Sequence, residues 1–308
     1  MTTSTAADNI PGVSIVVDDL LRVRGLLSGI SDSRIRRLSS FHSGAREVRL
    51  RGRGMDYEES RAYVYGDDFR TMDWRVMART GDAHTKVFAE EKERRCLLAV
   101  DLSASMYFGT RYGFKSWAAA QVAAHAGWLA SFAGERIGGL IVTPTQHREI
   151  RPDKTRSGLL GVFHHLSRAG ISSPLSPPLA SRLNFLLSEL NRVAKPGTNI
   201  ALISDFLSID EQSLQSLSAI TRHNQVSCYW IHDDCELEDW PAGSYPVLTE
   251  QGSIALDMAA GDTRDWLRQR QKDHRQRIES LCTRFNLPLL PISCNRDITR
   301  QILQGLGL

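Results

Sequence analysis

The sequence lacks long apolar runs and any patterned set of cysteines, and both absences narrow its class. No apolar stretch approaches the roughly 18 residues that cross a bilayer, so we expect no membrane insertion. The 5 cysteines include no C-x-x-C pair, which is typical of reduced thiols in a cytoplasmic protein. The polar start, residues 1–9, lacks a basic region followed by an apolar segment, so no signal peptide is predicted.

Excess charge of one sign is also lacking, with 38 Lys and Arg against 35 Asp and Glu. The resulting net charge of +3 gives no reason to expect a nucleic-acid partner. The phosphate-binding loop of P-loop ATPases and the G-x-S-x-G turn of serine hydrolases are both absent from the sequence. What is present, 42% hydrophobic and 24% charged residues, is ordinary globular composition.

The composition and the hydrophobic pattern of the chain change along its length and predict four regions. Residues 1–12 are expected to be disordered, and residues 13–43 to form an N-terminal helical segment. Residues 44–95 crowd arginine, glycine, acidic and aromatic residues without helical periodicity, which favours a small β-rich subdomain. From 96 to 308, apolar runs alternate with amphipathic segments, which predicts an α/β domain with a doubly wound, mostly parallel sheet.

One of the apolar runs ends in the pattern D-x-S-x-S. Cys96–Val100 is typical of a buried parallel strand, and Asp101, Ser103 and Ser105 follow where open α/β sheets bind ligands. A second apolar run ends in Asp205. Carboxylate and hydroxyl oxygens suit a hard cation such as Mg²⁺, so a metal site is predicted. Helix capping or turn formation by the same side chains is the competing interpretation.

Such a site is better suited to binding than to catalysis. Few carboxylates leave the cation with net positive charge and an open position, which a carboxylate from a partner protein can fill. The enzymatic alternative is a hydrolase with Asp101 as its nucleophile, as in phosphatases with an aspartate at a strand end. Those enzymes usually carry a second aspartate two residues on, where this chain has Ser103.

A dense charged cluster precedes the D-x-S-x-S strand. It consists of three aspartates and three arginines: Asp67, Asp68, Arg70, Asp73, Arg75 and Arg79. One interpretation is a salt-bridge network that braces a small subdomain with little core, and the other is a surface that binds a partner. In either case Arg75 and Arg79 are expected to pair with carboxylates through both guanidinium nitrogens.

Two of these patterns resemble known proteins. Asp101-x-Ser103-x-Ser105 with Ile203-Ser204-Asp205 resembles the metal-ion-dependent adhesion site of von Willebrand factor A-type domains. The upstream stretch YxYGDDxRxMDWR, which begins at Tyr63, is similar to the signature of the bacterial domain-of-unknown-function 58 family.

The resemblance implies an A-type α/β domain and a physical partnership with MoxR-type AAA+ ATPases. The chain would then be a non-enzymatic adaptor in protein complex assembly or maturation, with Mg²⁺ or Mn²⁺ in the adhesion site and an unidentified client. One departure is the threonine that such sites add from another loop, because its position falls near Pro177 here. Ser173 and Ser176 are the hydroxyls that could substitute, and a metal-free scaffold of the same fold stays open as the alternative.

Overall fold

The computed structural model describes residues 10–30, 55–65, 67–90, 94–154, 156–169, 182–249 and 252–307. Contacts divide the chain into two compact units. The smaller unit is residues 46–93, and the larger unit combines residues 1–45 with residues 94–308. The first helix, α1 (Val17–Leu26), therefore belongs to the larger unit.

The smaller unit is an antiparallel pair of strands with a short helix between them in sequence. Strand β1 (Met55–Ala62) pairs with β2 (His84–Glu90), and α2 (Trp74–Thr80) connects them. The Asp73 carboxylate accepts two N–H groups of the first helical turn, and Gly81 ends the helix at φ 82°. The helix is absent from the sequence-based prediction, because its apolar positions are too few to produce a periodic pattern.

The larger unit is built on a central sheet. Its strands are β3 (Arg95–Asp101), β4 (Arg136–Val142), β5 (His147–Asp153), β6 (Thr198–Ser204), β7 (Gln225–His232), β8 (Ser244–Thr249), β9 (Gly252–Asp257) and β10 (Leu289–Ser293). Six of them form the sheet in the order β10-β7-β6-β3-β4-β5, while β8 and β9 pair separately. Only β4 and β5 are antiparallel neighbours in this sheet, so the predicted mostly parallel arrangement is confirmed.

Helices cover both faces of this sheet. Besides α1 they are α3 (Lys115–Phe132), α4 (Arg156–Ala169), α5 (Arg182–Val193), α6 (Glu211–Thr221), α7 (Gly261–Phe285) and α8 (Ile298–Gly305). Helices α1, α3, α4 and α8 share one apolar core with the sheet, and α5, α6 and α7 share the other. Alternate residues of β3 enter the two cores, which is why its sequence is apolar throughout. Among the helices that the structure describes, none combines the length and the apolar character that a bilayer span requires.

Three strands differ from what the sequence predicts, since β5 and β8 are missing from the prediction and β9 lies outside the central sheet. The edge strand β5 is missing from the prediction, because its sequence is largely polar and most of its side chains are exposed. The apolar run at 253–256 lies in β9 and pairs with β8, outside the central sheet.

The N-terminal part of the larger unit packs against α3. Trp128 donates its indole N–H to the Leu20 carbonyl oxygen at 3.0 Å, so α1 is part of the core layer. Residues 10–14 form a turn, although disorder is expected up to residue 12, and Phe114 donates its N–H to the Gly12 carbonyl oxygen at 2.7 Å. Gly12 has φ 78°, and a Cβ there would collide with the Tyr112 carbonyl.

Candidate functional site

The candidate site lies at the carboxyl ends of the two central strands. The chain leaves β3 for β4 on one side and later returns to β6 on the other, so the strand order reverses at β3. A crevice forms at such a reversal in doubly wound sheets. Val100 and Ile203 are partners in the β3–β6 register. Asp101 directly follows Val100 and Asp205 lies two residues after Ile203, so both aspartates lie at this edge.

The D-x-S-x-S loop, residues 101–107, gathers the predicted ligands. Asp101 accepts the Ser103 N–H at 2.9 Å through Oδ1 and the Ser204 hydroxyl at 2.7 Å through Oδ2. The Ser103 and Ser105 hydroxyl oxygens are 3.4 Å apart, and the Ser105 side chain is close enough to the Asp205 carboxylate to lower its pKa. Both aspartates are buried while both serines are partly exposed. The structure thus brings together Asp101, Ser103, Ser105 and Asp205, and Ser204 is added to them.

A buried lysine, absent from the sequence-based prediction, neutralises one side of the site. Lys115 is 1% exposed, and its Nζ lies 3.0 Å from Asp205 Oδ2 and 2.7 Å from Glu236 Oε1. It stands in the first turn of α3, where the helix dipole disfavours a cation, so the two carboxylates are needed to hold it there. The available signal was a lysine at the start of a helix that is apolar on all sides, because such a helix offers it no solvent-facing side.

Burial and neighbouring charges shift the pKa values of the two aspartates in opposite directions. Burial, together with the Asp205 charge, raises the pKa of Asp101 to about 6. Burial would raise the pKa of Asp205 too, but the Lys115 charge, the Ser105 side chain and the hydrogen bond from Lys115 lower it. Burial would lower the pKa of Lys115, yet Asp205 and Glu236 raise it above its ordinary value. Lys115 is thus a permanent positive charge, and Asp101 has no cationic partner among the residues that the structure describes.

The turn after β6 is held in a strained conformation. Phe206 has φ 54°, in the left-handed region that aromatic residues rarely adopt. It is buried, and its N–H donates to the Ser204 hydroxyl oxygen at 3.0 Å. On the other side, His274 Nε2 lies 3.0 Å from the Asp205 carbonyl oxygen. These contacts fix the conformation of the turn and keep the Asp205 carboxylate directed at the site.

A further buried aspartate, Asp233, holds the segment that follows the loop. Its carboxylate accepts the Thr110 N–H and the Thr110 hydroxyl, both at 2.7 Å, and the Cys235 N–H at 2.9 Å. Burial alone would raise its pKa, but these hydrogen bonds lower the pKa to about 2. Glu236 joins the two sites, because it accepts the Asp233 N–H at 2.8 Å through Oε2 and binds Lys115 through Oε1.

The oxygen atoms of the D-x-S-x-S site fit a hard divalent cation by their chemistry. Asp101 supplies a carboxylate that no cationic side chain in the described part of the chain balances, and Ser103 and Ser105 supply neutral, partly exposed hydroxyls. Asp205 would be the second carboxylate. Among the described residues, no cluster of three or more His, Cys, Asp or Glu is arranged to hold a metal, so a cation here depends on the serine hydroxyls. Ser173, Ser176 and Pro177 lie outside the described residues.

The aspartates and the arginines of the charged cluster in the smaller unit differ in their contacts. Asp67 pairs with Arg61 at 2.7 Å, Asp68 caps the short helical turn that follows it, and Asp73 accepts the Ser60 hydroxyl at 2.6 Å. The cluster's arginines are exposed and form no ion pair with any residue that the structure describes: Arg70, Arg75 and Arg79. The carboxylates are thus occupied by backbone amides, hydroxyls and Arg61. The bidentate pairing expected for Arg75 and Arg79 is not found in the described part of this unit.

Comparison with known proteins identifies the family. A family model described as "Protein of unknown function DUF58" matches residues 59–279. The chain belongs to this DUF58 family. Uncharacterized proteins of Mycobacterium bovis and Mycobacterium tuberculosis are each 27% identical to it over 255 residues, which is 82% of this chain and 79% of theirs.

Two solved structures also align with this DUF58 protein. One is the conserved hypothetical protein BatB from Bacteroides thetaiotaomicron, with 12% identity and a TM-score of 0.36. The other is an aerotolerance-related membrane protein from Bacteroides fragilis, with 14% identity and a TM-score of 0.38. Each alignment covers 70% of this chain and 98% of the other chain. These TM-scores are too low to assign a fold.

Proposed function

We propose that the larger unit is a von Willebrand factor A-like, non-enzymatic protein-binding domain in the cytoplasm. It acts as an adaptor of a MoxR-type AAA+ ATPase in protein complex assembly or maturation. The supporting observation is that the D-x-S-x-S loop and Asp205 meet where the strand order reverses. In this proposal Mg²⁺ or Mn²⁺ is held by Asp101, Ser103, Ser105 and Asp205, with Ser173 or Ser176 as a further ligand.

The charges around the site favour recognition of a carboxylate. When bound, the cation supplies an open position for a carboxylate oxygen of the partner. Its two positive charges and the one of Lys115 balance the carboxylates of Asp101, Asp205 and Glu236. Without Lys115 the loaded site would carry net negative charge and repel the partner's carboxylate. Lys115 therefore makes the same site compatible with both a metal and an acidic partner.

The test is metal-dependent binding to the MoxR-type ATPase of the same host, measured by biolayer interferometry. We expect binding in Mg²⁺ that weakens at least about tenfold in EDTA or in Asp101→Ala, which corresponds to about 1.4 kcal/mol. Asp265→Ala is the matched control, because it removes the same charge from an exposed position. Binding that EDTA and Asp101→Ala leave unchanged would contradict the metal-dependent part, and no binding in any condition would contradict the ATPase partnership.

A metal-free scaffold of the same fold is the second candidate, and Lys115 is the observation that favours it. Its ammonium already pairs with Asp205, as a metal ion would. Isothermal titration calorimetry with Mg²⁺ and Mn²⁺ separates the candidates. Saturable binding that Asp101→Ala removes supports the metal-dependent domain, and heats of dilution alone support the scaffold.

The enzymatic alternative has its own assay. A hydrolase that used Asp101 as nucleophile would turn over a generic phosphate ester, and Asp101→Asn would abolish that turnover. We expect no turnover above background for the unchanged protein. Turnover that the variant lacks would contradict the non-enzymatic proposal.

A further inference from the structure

A basic pocket of about 120 Å³ lies between β4, β5 and α4. Two strand residues, His147 and Arg148, and two helix residues, His165 and Arg168, are the basic residues of its lining. None of the described residues that line it is acidic. We refer to these four residues as the basic pocket.

The positive charge of the basic pocket is largely uncompensated. Among the described residues, neither Arg148 nor Arg168 has an ion-pair partner, and His147 approaches only Glu189, at 3.9 Å. Partial burial lowers the pKa of His165, and the charges of Arg148 and Arg168 lower it further. Arg148, His165 and Arg168 thus line one concavity without a carboxylate among the described residues, whereas the side chain of His147 lies on the opposite face of the strand, beside Glu189 of α5.

The alternation of β5 explains why the pocket has no carboxylate of its own. Ile150 packs into the core shared with α4, and Arg148, two residues earlier, is directed to the same face of the sheet. Glu149 is directed to the opposite face, where it pairs with Arg192 of α5 at 2.9 Å. The strand therefore separates its basic residue from its acidic one.

The basic pocket adjoins the D-x-S-x-S loop. Tyr107, which ends the loop, donates its hydroxyl to the carbonyl oxygen of Ala169, a residue that lines the pocket, at 2.8 Å. At the other end of the loop, Leu102 donates its N–H to the Val142 carbonyl oxygen at 2.7 Å, next to the lining residue Thr143. Two hydrogen bonds therefore join the loop to chain segments that line the pocket.

We propose that the basic pocket binds carboxylate side chains of an acidic segment in the partner protein. Two arginine forks can hold carboxylate oxygens with paired N–H donors. The volume is far below the roughly 300–1,000 Å³ of ordinary small-molecule sites, which favours single side chains as occupants. This inference rests on the proposed function only for the role of the bound segment. The partner would carry further acidic residues next to the carboxylate that binds at the D-x-S-x-S loop.

Fluorescence anisotropy with a labelled hexaglutamate peptide tests this inference, and hexaglutamine is the neutral comparison. We expect the whole protein to bind hexaglutamate at low ionic strength, with affinity that falls as salt is added. The double variant Arg148→Gln/Arg168→Gln should bind at least about tenfold more weakly, because charge-assisted hydrogen bonds are lost. Arg277→Gln is the control, since it removes an exposed arginine from α7, which lines no part of the pocket.

Repeating the titration in EDTA and with Asp101→Ala separates the pocket from the metal site. Hexaglutamate binding that persists in both conditions, and that the double arginine variant weakens, supports the pocket even if the metal-dependent function fails. The inference is overturned if the double variant binds like the unchanged protein or if hexaglutamine binds equally well. It is also overturned if a short RNA displaces the peptide at lower concentration than unlabelled hexaglutamate does, because the pocket would then prefer phosphates.

Discussion

Asp101 and Asp233 are both buried at the carboxyl edge of the same sheet, yet their surroundings differ. Asp233 is met by backbone N–H groups and a threonine hydroxyl, and its pKa is lowered to about 2. Asp101 is met by an N–H group and a serine hydroxyl but faces the carboxylate of Asp205, and its pKa is raised to about 6. The comparison teaches that burial of an aspartate does not by itself indicate its role.

The number of donors and the nearest charge separate a structural carboxylate from a binding one. The Asp233 carboxylate accepts hydrogen bonds from Thr110 and holds that residue in place. Its oxygens are therefore already satisfied and do not require a ligand. Asp101 has unbalanced charge beside partly exposed serines, which is the condition for binding a cation. Glu236 contacts both environments, since it accepts from Asp233 and from Lys115.

Lys115→Met should lower the stability more than any other substitution considered below. It leaves the buried Asp205 and the partly exposed Glu236 without their cation, so we expect the free energy of unfolding to fall by about 3–5 kcal/mol. Urea denaturation in EDTA measures the change. Lys195→Met, which removes an exposed lysine, is the control and should change the stability by less than about 0.5 kcal/mol.

A second substitution that partly compensates for Lys115→Met tests whether unpaired carboxylates cause the loss of stability. The double variant Lys115→Met/Asp205→Asn should recover part of the lost stability, because one of the two unpaired charges is removed. Added Mg²⁺ should also stabilise the single variant more than the unchanged protein. A single variant as stable as the unchanged protein would show that Lys115 does not neutralise the site.

Asp233→Asn should cost about 2 kcal/mol at pH 7, because charge-assisted hydrogen bonds to Thr110 and Cys235 are weakened. The pKa of Asp233 lies below its ordinary value of 3.8, so the stabilisation is present above that value. It is lost as the pH falls towards about 2. Denaturation curves along a pH series should show the two proteins converging in acid, and a difference that stays constant would contradict the assignment.

Asp101→Asn should cost less than Asp233→Asn when both are measured in EDTA at pH 7, because it also removes repulsion with Asp205. At a Mg²⁺ concentration about five times the dissociation constant, the unchanged protein should gain about 1 kcal/mol and the variant none. Thermal unfolding with and without Mg²⁺ measures both effects. A larger loss for Asp101→Asn than for Asp233→Asn would reverse the roles given to the two aspartates.

Tyr107→Phe should have the smallest effect, about 1 kcal/mol, because it leaves the Ala169 carbonyl oxygen without this hydrogen bond. Urea denaturation measures it, and Tyr112→Phe is the matched control, since that side chain is 64% exposed. Equal losses in the two variants would mean that Tyr107 does not hold the loop against the pocket.

Much of the α/β order was predictable from local patterns. Residues buried on both faces of a sheet produce continuous apolar runs, so β3, β6 and β7 are recognisable within two residues of their ends. Helix α6 is one of the amphipathic segments that alternate with the apolar runs, so it was recognisable too. The edge strand β5 was missed because an exposed strand has no such apolar pattern.

The sequence by itself determined the parallel sheet, the D-x-S-x-S loop at a strand end, and Asp205 as its acidic counterpart, since each is carried by neighbouring residues. Only the tertiary structure decided the electrostatics. Lys115 meets Asp205 across 90 positions of sequence, Ser204 meets Asp101 across 103, and Thr110 meets Asp233 across 123. Local periodicity reflects which side of an element is buried, but a pKa depends on charges and donors that folding brings from distant segments.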